Sequence, residues 1–422
     1  MEETQRERAI LVGVQRQKDH HFEYEMEELE NLASAIEIEK AGTVTQNLER
    51  IHAGTYVGTG KVEEIKMLFE ATEANVVIFN DELSPSQIRN LEELLECEVM
   101  DRTMLILAIF SRRAKTREAK LQVDLAQLQY MLPRLVGLRA SLSRQGGGTG
   151  GGFKNRGAGE TKLELDRRKI EEQISRIKRE LETVKSQRDT QRKRRQKEGL
   201  PVVSLVGYTN AGKSTIMNQV MLQAGKEQKQ VFEKDMLFAT LETSVRQVKL
   251  EDQKQFLLTD TVGFVSKLPT HLVKAFRSTL EEARDADLLL HVVDVSNDEY
   301  RYMIDVTNKT LDQIGVEDVP TLYVFNKSDR AEREYPVYKD DQLWISAKEG
   351  AGIDELIDQI KSRIFQDYTT LSLLIPFDQG ELVDYLNTHA SVLDTEYDEQ
   401  GTLMTVELSA KDAARLEGFL HA

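Results

Sequence analysis

The chain has 422 residues, 40% hydrophobic and 30% charged, with a single cysteine and a formal net charge of −16. Such a length predicts several domains rather than one core, and the surplus of charge predicts long solvated helices. The lone Cys97 excludes a disulfide framework and a multi-cysteine zinc site, and the acidic balance opposes nonspecific binding of the whole chain to DNA or any other polyanion.

The first residues, MEETQRERAILVGVQ, lack the apolar core of a signal peptide, and no run of about 18 apolar residues occurs. A soluble cytoplasmic protein without integral membrane association, monomeric when free, is expected. Residues 1–105 alternate β-type runs (AILVGV, NVVIF, CEVMD) with helical stretches such as GKVEEIKMLFEATE, which predicts an α/β subdomain. Ser84 and Pro85 before QIRNLEELL are a helix start signal. Cys97 reads as a small hydrophobe at a strand edge, and no catalytic constellation stands out in this part.

From about 103 to 199 the pattern is helical, interrupted only by Pro133 and a glycine stretch. Leu121, Leu125, Leu128 and Leu132 form one narrow apolar seam, and Ile170, Ile174, Ile177, Leu181 and Val184 form another. Two such seams joined by a loop predict an antiparallel helical hairpin over 106–199 with residues 144–160 at its tip. From Arg112 to Arg156 ten basic residues face two acids, and from Arg134 onward there is no acid. RDTQRKRRQK, residues 188–197, adds a second basic cluster, either a solvated helix end or an RNA contact.

SRQGGGTGGGFKNRGAGE, residues 143–160, satisfies G-x-G-x-x-G at Gly146, Gly148 and Gly151. A dinucleotide fingerprint needs a preceding strand and a βαβ unit, whereas this stretch follows a leucine-seamed helix. Two readings remain: a linker, or a mobile tip whose Arg144, Phe153, Lys154 and Arg156 meet RNA phosphates and stack on bases.

Residues 200–367 alternate strand and helix, with strands at PVVSLV, SVRQVKL, QFLLTD, LLLHVV, TLYVFN and QLWIS, which predicts a doubly wound, mostly parallel sheet. PVVSLVGYTNAGKSTIMNQV is a strand, then G-x-x-x-x-G-K-S, then a helix, the full context of a P-loop. Gly207, Tyr208, Thr209, Asn210, Ala211, Gly212, Lys213, Ser214 and Thr215 are therefore predicted to cradle phosphates. Gly207 and Gly212 turn the backbone, Lys213 supplies charge toward the β and γ oxygens, and Ser214 offers an oxygen to Mg²⁺. LLTDTVGF puts Asp260 at a strand end to serve Mg²⁺, followed by Thr261, Val262 and Gly263, whose N–H can sense a γ-phosphate. FNKSD supplies Asn326, Lys327, Ser328 and Asp329; the Asp329 carboxylate can accept both N1–H and N2–H of guanine, a pair that adenine lacks. Ser346, Ala347 and Lys348 close the next strand within reach of the guanine O6. The order and strand-end placement of these motifs together predict GTP. Phe264 follows Gly263 with an apolar side chain that cannot hydrogen-bond an attacking water, so intrinsic hydrolysis is expected to be slow. Residues 368–422, with a turn at DEQGT, read strand, helix, strand, helix, a small α+β unit.

These motifs resemble those of the translation-factor-like GTPases. That resemblance implies a switch threonine closing over the γ-phosphate and Mg²⁺ in DMLFATLETS, with Thr240 the choice, Thr243 the fallback, and Phe238, Ala239, Leu241 and Glu242 beside it. Lys213, Thr240 and Gly263 are then the catalytic set, and Ser214, Thr240 and Asp260 the metal set. More specifically, MDRTMLILAIFSRRAKTREAKLQVDLAQLQYMLPRL, GETKLELDRR and GYTNAGKST with LFATL and DTVGF resemble the HflX family of bacterial ribosome-associated GTPases. The resemblance implies a G domain preceded by an α/β and a two-helix subdomain. It also implies binding to the large ribosomal subunit and its rRNA, separation of stalled ribosomes into subunits in the GTP state, and release on hydrolysis. Ala158, where the family commonly has proline, and ATLET, where Asp-Pro is common, are departures. A GTP-gated RNA-binding factor with little hydrolysis is the alternative; a tRNA-modification GTPase is disfavoured because no cysteine follows Cys97.

Overall fold

The computed structural model describes residues 7–17, 19–145, 156–198, 200–225, 238, 244–269, 272, 282–316 and 318–421. The run RAILVGVQ forms β1 (Arg8–Gln15), buried along its length because it is an inner strand of a parallel sheet covered on both faces. With β2 (Glu39–Asn47), β3 (Val76–Phe79) and β4 (Glu98–Asp101) it makes a four-stranded parallel sheet of order β2-β1-β3-β4. Alternate residues serve opposite faces. Ala9, Leu11, Val76 and Ile78 pack with α1 (Phe22–Ser34) and α4 (Arg102–Arg113), and Ile10, Val12, Val77 and Phe79 with α2 (Thr59–Thr72) and α3 (Pro85–Leu95). Ser84 and Gln87 close a capping box on α3, with Pro85 in its first turn.

The helical stretch differs from its sequence reading in where it breaks. Ala114 is extended (φ −64°, ψ 112°) and ends α4, and the Thr116 hydroxyl accepts from the Ala119 N–H at 3.2 Å to start α5 (Arg117–Gln145). Pro133 interrupts nothing: α5 runs through it, and the residue lies exposed. The returning α6 (Arg156–Glu198) is 43 residues long. Leu125, Ile174 and Ile177 are buried where the two helices meet, flanked by Leu121, Leu128, Leu132, Ile170 and Leu181. Arg117 at the start of α5 pairs with Glu180 in the second half of α6 at 2.9 Å, consistent with antiparallel packing.

A seven-stranded sheet follows, of order β10-β11-β9-β8-β5-β7-β6. Its strands are β5 (Val202–Gly207), β6 (Ser244–Lys249), β7 (Gln255–Asp260), β8 (Leu288–Asp294), β9 (Thr321–Asn326), β10 (Val337–Lys339) and β11 (Gln342–Trp344). Only the edge pairs, β6 with β7 and β10 with β11, are antiparallel. Helices α7 (Lys213–Gln223), α8 (Tyr300–Gln313) and α9 (Ile353–Ile364) cover it. β5 lies between β7 and β8, so the crevice expected at the carboxyl ends of a doubly wound sheet opens at the end of β5.

The last unit contains one strand more than the sequence pattern predicts. β12 (Tyr368–Ile375), α10 (Gly380–His389), β13 (Ser391–Tyr397), β14 (Thr402–Ser409) and α11 (Ala410–Arg415) form an antiparallel sheet of order β12-β14-β13 with its helices. The turn at Asp398–Gly401 joins two strands, because Gly401 O accepts from Asp398 N–H at 3.0 Å. No helix among the described residues is long and apolar enough to cross a membrane.

Candidate nucleotide site

β5 ends in a loop whose backbone only glycine can follow at two points. Gly207 has φ +143°, and a Cβ there would lie 2.2 Å from the Val292 carbonyl oxygen; Gly212 has φ +97°, with the Asn326 amide nitrogen 2.2 Å from its would-be Cβ. Asn210 between them is also left-handed, at φ +60°. The Lys213 ammonium folds back onto this loop, donating to Gly207 O at 3.0 Å and Tyr208 O at 2.7 Å. Burial pushes its pKa down to about 8 against the opposing pull of Asp260.

Ser214 in the first turn of α7 donates through Oγ to Oδ2 of Asp260, the last residue of β7, at 2.6 Å. A hydroxyl and a buried carboxylate thus meet beside the loop, both oxygen donors of the kind a hard divalent cation takes. Thr261 is fixed by donating to Leu205 O at 2.7 Å. Gly263 then crosses the loop so closely that a Cβ would sit 2.7 Å from Thr209 Cα. Phe264 N–H donates to Gly207 O at 3.2 Å, and Thr209 N–H donates to Phe264 O at 2.8 Å. The Phe264 ring is buried among Val206, Tyr208 and Leu289.

At the end of β9, Asn326 bridges two loops: its amide nitrogen donates to Ala211 O at 2.9 Å and its amide oxygen accepts from Ala347 N–H at 2.9 Å. Lys327, left-handed at φ +63°, pairs with Asp294 at 2.7 Å, and Ser328 is buried. Asp329 accepts from the Ser346 hydroxyl at 2.8 Å, while Lys348 is exposed.

The fold therefore brings together the P-loop, Asp260 to Gly263, Asn326 to Asp329 and Ser346 to Lys348. Thr215 lies in the first turn of α7, half-buried. Phe238 is buried, its ring edge-on to Phe110 of α4 at 4.6 Å. Ala239, Thr240, Leu241, Glu242 and Thr243 lie outside the described residues, as do Phe153 and Lys154. Arg144 and Arg156 stand at the facing ends of α5 and α6, next to the tip segment. Arg134 is not part of that tip: it pairs with buried Asp101 at 3.2 Å and stacks its guanidinium 3.4 Å from the Tyr130 ring centre. Burial pushes the Cys97 thiol up to about 11, consistent with an inert side chain.

Sequence reasoning missed a polar cluster where the first unit meets the nucleotide motifs. Glu28 on α1 and Arg102 at the start of α4 are both buried and paired, and they touch Tyr208 and Ser266. The signal available was weak: Glu25 and Glu28 share a helical face with Phe22, Leu29 and Leu32, and Arg102 stands just ahead of the apolar run Met104–Phe110.

Comparison with known proteins covers the whole of this arrangement. Residues 23–111 match the family described as GTP-binding GTPase N-terminal, and 113–195 the GTP-binding GTPase Middle Region. Residues 202–327 match the family described as 50S ribosome-binding GTPase, and 334–421 the HflX C-terminal domain. The GTPase HflX of Caldanaerobacter subterraneus subsp. tengcongensis is 43% identical over 100% of this chain and 96% of its own length. That of Lacrimispora saccharolytica is 44% identical over 97% and 95%, and that of Escherichia coli K12 42% identical over 89% and 87%. With this identity along nearly its full length, and with the nucleotide motifs gathered at one end of the sheet, the chain belongs to the HflX family of GTPases.

Proposed function

We propose that this GTPase works on the ribosome, docking in its GTP state on the large subunit and its rRNA through the hairpin tip. It separates stalled ribosomes into subunits and leaves after hydrolysing GTP to GDP and phosphate. The observation that carries the nucleotide half is the meeting of four motifs around the end of β5, with Asn326 tied to both the P-loop and Ala347. The match of residues 202–327 to the 50S ribosome-binding GTPase family supports the ribosomal half. The basic, acid-free stretch before Arg156 supports the choice of tip, with Arg144, Phe153, Lys154 and Arg156 as RNA contacts.

In this reading the N–H groups of the P-loop and the amino end of α7 hold the β-phosphate. Lys213 exchanges its two loop carbonyls for β and γ oxygens, a trade that restores the full charge burial disfavours. Ser214 and Asp260, with Thr240, would hold Mg²⁺, which would supply charge neutralisation for the phosphates. Gly263 N–H faces the γ-phosphate, and Asp329 selects guanine. Phe264 offers the attacking water no polar atom, so the ribosome completes the hydrolytic site. The protein is a cytoplasmic monomer when free, and DNA is not a partner.

Co-sedimentation with 70S ribosomes and with separated subunits, in GDP and in a nonhydrolysable GTP analogue, tests the proposal. Binding to the large subunit in the analogue and weak binding in GDP is expected. Equal binding in both nucleotides would overturn the switch, and dissociation of 70S particles in the analogue is the reading for splitting.

A further inference from the structure

Next to the nucleotide motifs lies a closed ring of side chains that phosphate and base recognition do not require. Arg102, 1% exposed, donates from Nε to Ser266 O at 3.2 Å, from Nη1 to Asn80 Oδ1 at 2.7 Å and from Nη2 to Ser266 Oγ at 2.8 Å. Nη2 also pairs with Glu28 Oε2, to which the Ser266 hydroxyl donates in turn. The other Glu28 oxygen accepts from the Tyr208 hydroxyl at 2.5 Å, and the Tyr208 oxygen accepts from Ser266 N–H at 2.6 Å. Lys267 continues the grip, pairing with Glu25 at 2.6 Å and Asp81 at 2.9 Å. Beneath these, Val262, Val265, Leu272 and Phe238 share an apolar core with Phe110 and Leu107 of α4.

A buried ion pair is an uneconomical way to join two domains, since well-packed apolar residues serve stability as well or better. What the ring adds is position. It joins the second residue of the P-loop to the residue three places after Gly263, and Gly263 itself fits against Thr209 with no room for a Cβ. Hydrolysis is sensitive to misplacement of about 1 Å in groups that touch the reacting phosphate.

We propose that Glu28 and Arg102 are positioning residues for GTP hydrolysis, acting through Ser266 and Tyr208 to hold Gly263 against the P-loop where it meets the γ-phosphate. The proposal rests on the assignment of Lys213 and Gly263 to the phosphate site. It is tested in the full chain by single-turnover GTP hydrolysis together with the KM for GTP and the Kd for GDP. Glu28→Gln and Arg102→Lys are expected to lower the hydrolysis rate about tenfold or more with KM and GDP Kd within about twofold. Should either variant fail to fold, Ser266→Ala supplies the same readout; where Glu28→Gln folds, its combination with Ser266→Ala is expected to be no slower than the slower single variant. A rate at or above wild type overturns the proposal, and so does a loss of GDP affinity in proportion to rate, which marks general damage. Lys213→Ala separates the two levels: retained GTP and GDP affinity there refutes the phosphate-site assignment. Wild-type rates in Arg102→Lys beside an inactive Lys213→Ala refute the positioning role alone.

Discussion

Thr209 and Phe264 are joined main chain to main chain: the N–H of the P-loop residue donates to the carbonyl of the phenylalanine at 2.8 Å. The contact is possible because the residue before Phe264 is glycine, and a Cβ at Gly263 would press to 2.7 Å on Thr209 Cα. Because Thr209 Cα and N are among the nearest atoms, turning the Thr209 side chain aside would not make room. Gly263→Ala is expected to part the two segments, lowering single-turnover hydrolysis about 100-fold while GDP affinity changes by no more than a few-fold. Hydrolysis within twofold of wild type would contradict a role for this approach in catalysis.

Asp329 is held by the Ser346 hydroxyl at 2.8 Å, which orients its carboxylate at the end of β9. Asp329→Asn replaces a double acceptor with a group that presents one donor and one acceptor. GTP affinity is expected to fall by about 100-fold or more, and affinity for xanthosine triphosphate to rise. Competition of both nucleotides against a fluorescent GDP analogue measures the exchange, and unaltered GTP affinity would remove Asp329 from the base pocket.

Phe264 contributes a backbone carbonyl to the loop and an apolar ring to the core, so no side-chain donor or acceptor at this position orients water. Turnover by the isolated protein is expected to be slow and to rise about tenfold or more with ribosomes. Equal rates with and without them would set aside partner dependence and leave the GTPase assignment standing.

Deleting residues 146–155 removes glycines, Phe153 and Lys154 from between α5 and α6, far in sequence from the P-loop. GTP and GDP affinity are expected to stay within about twofold while ribosome co-sedimentation weakens, more so as salt is raised. Loss of nucleotide binding in the deletion would contradict this division of labour.

The grip of Lys267 predicts a pH dependence. Burial pushes the Asp81 carboxyl up, but the Lys267 ammonium and the Tyr56 hydroxyl outweigh it and hold the pKa below its ordinary 3.8. A depressed pKa stabilises the fold fully above the ordinary value, and the contribution is lost as pH falls through the lower, folded value. Lys267→Met is expected to cost about 2 kcal/mol at pH 7, less than a fully buried pair because Lys267 is 26% exposed. The deficit should shrink below about pH 4, as the Asp81 carboxylate it leaves without its ammonium becomes protonated. Urea unfolding at pH 7 and pH 3.5 gives both numbers, and a deficit that grows on acidification would refute the sign.

The nucleotide motifs were legible because each is local. Gly207, Gly212, Lys213 and Ser214 lie within one strand-loop-helix, and Asp260, Asn326 and Asp329 each end or follow a run of apolar β-formers. The seams of the hairpin were legible for the same reason, as helical periodicity. β2 was not legible, since EKAGTVTQN is an edge strand that buries only Val44 and so lacks a hydrophobic pattern. Pro133 misled, because an exposed proline can stay within a helix that its packed neighbours hold in place. The ring of Glu28, Arg102, Tyr208 and Ser266 left only charged residues among apolar helical neighbours as its mark: its bonds span from 58 to 238 residues, and no local spacing encodes a meeting at such range.

Asp101 and Arg102 are neighbours in the chain, yet they face different parts of the molecule. Asp101 accepts from Tyr130 at 2.5 Å and pairs with Arg134, fastening α5; Arg102 fastens Ser266. One peptide, about 3.8 Å from Cα to Cα, therefore separates the clasp on the long helix from the clasp on the segment carrying Gly263. No glycine hinge or loose loop lies between them. The long helix and the segment carrying Gly263 are thus fastened to one rigid junction, so neither can shift far without disturbing the hydrogen bonds that hold the other.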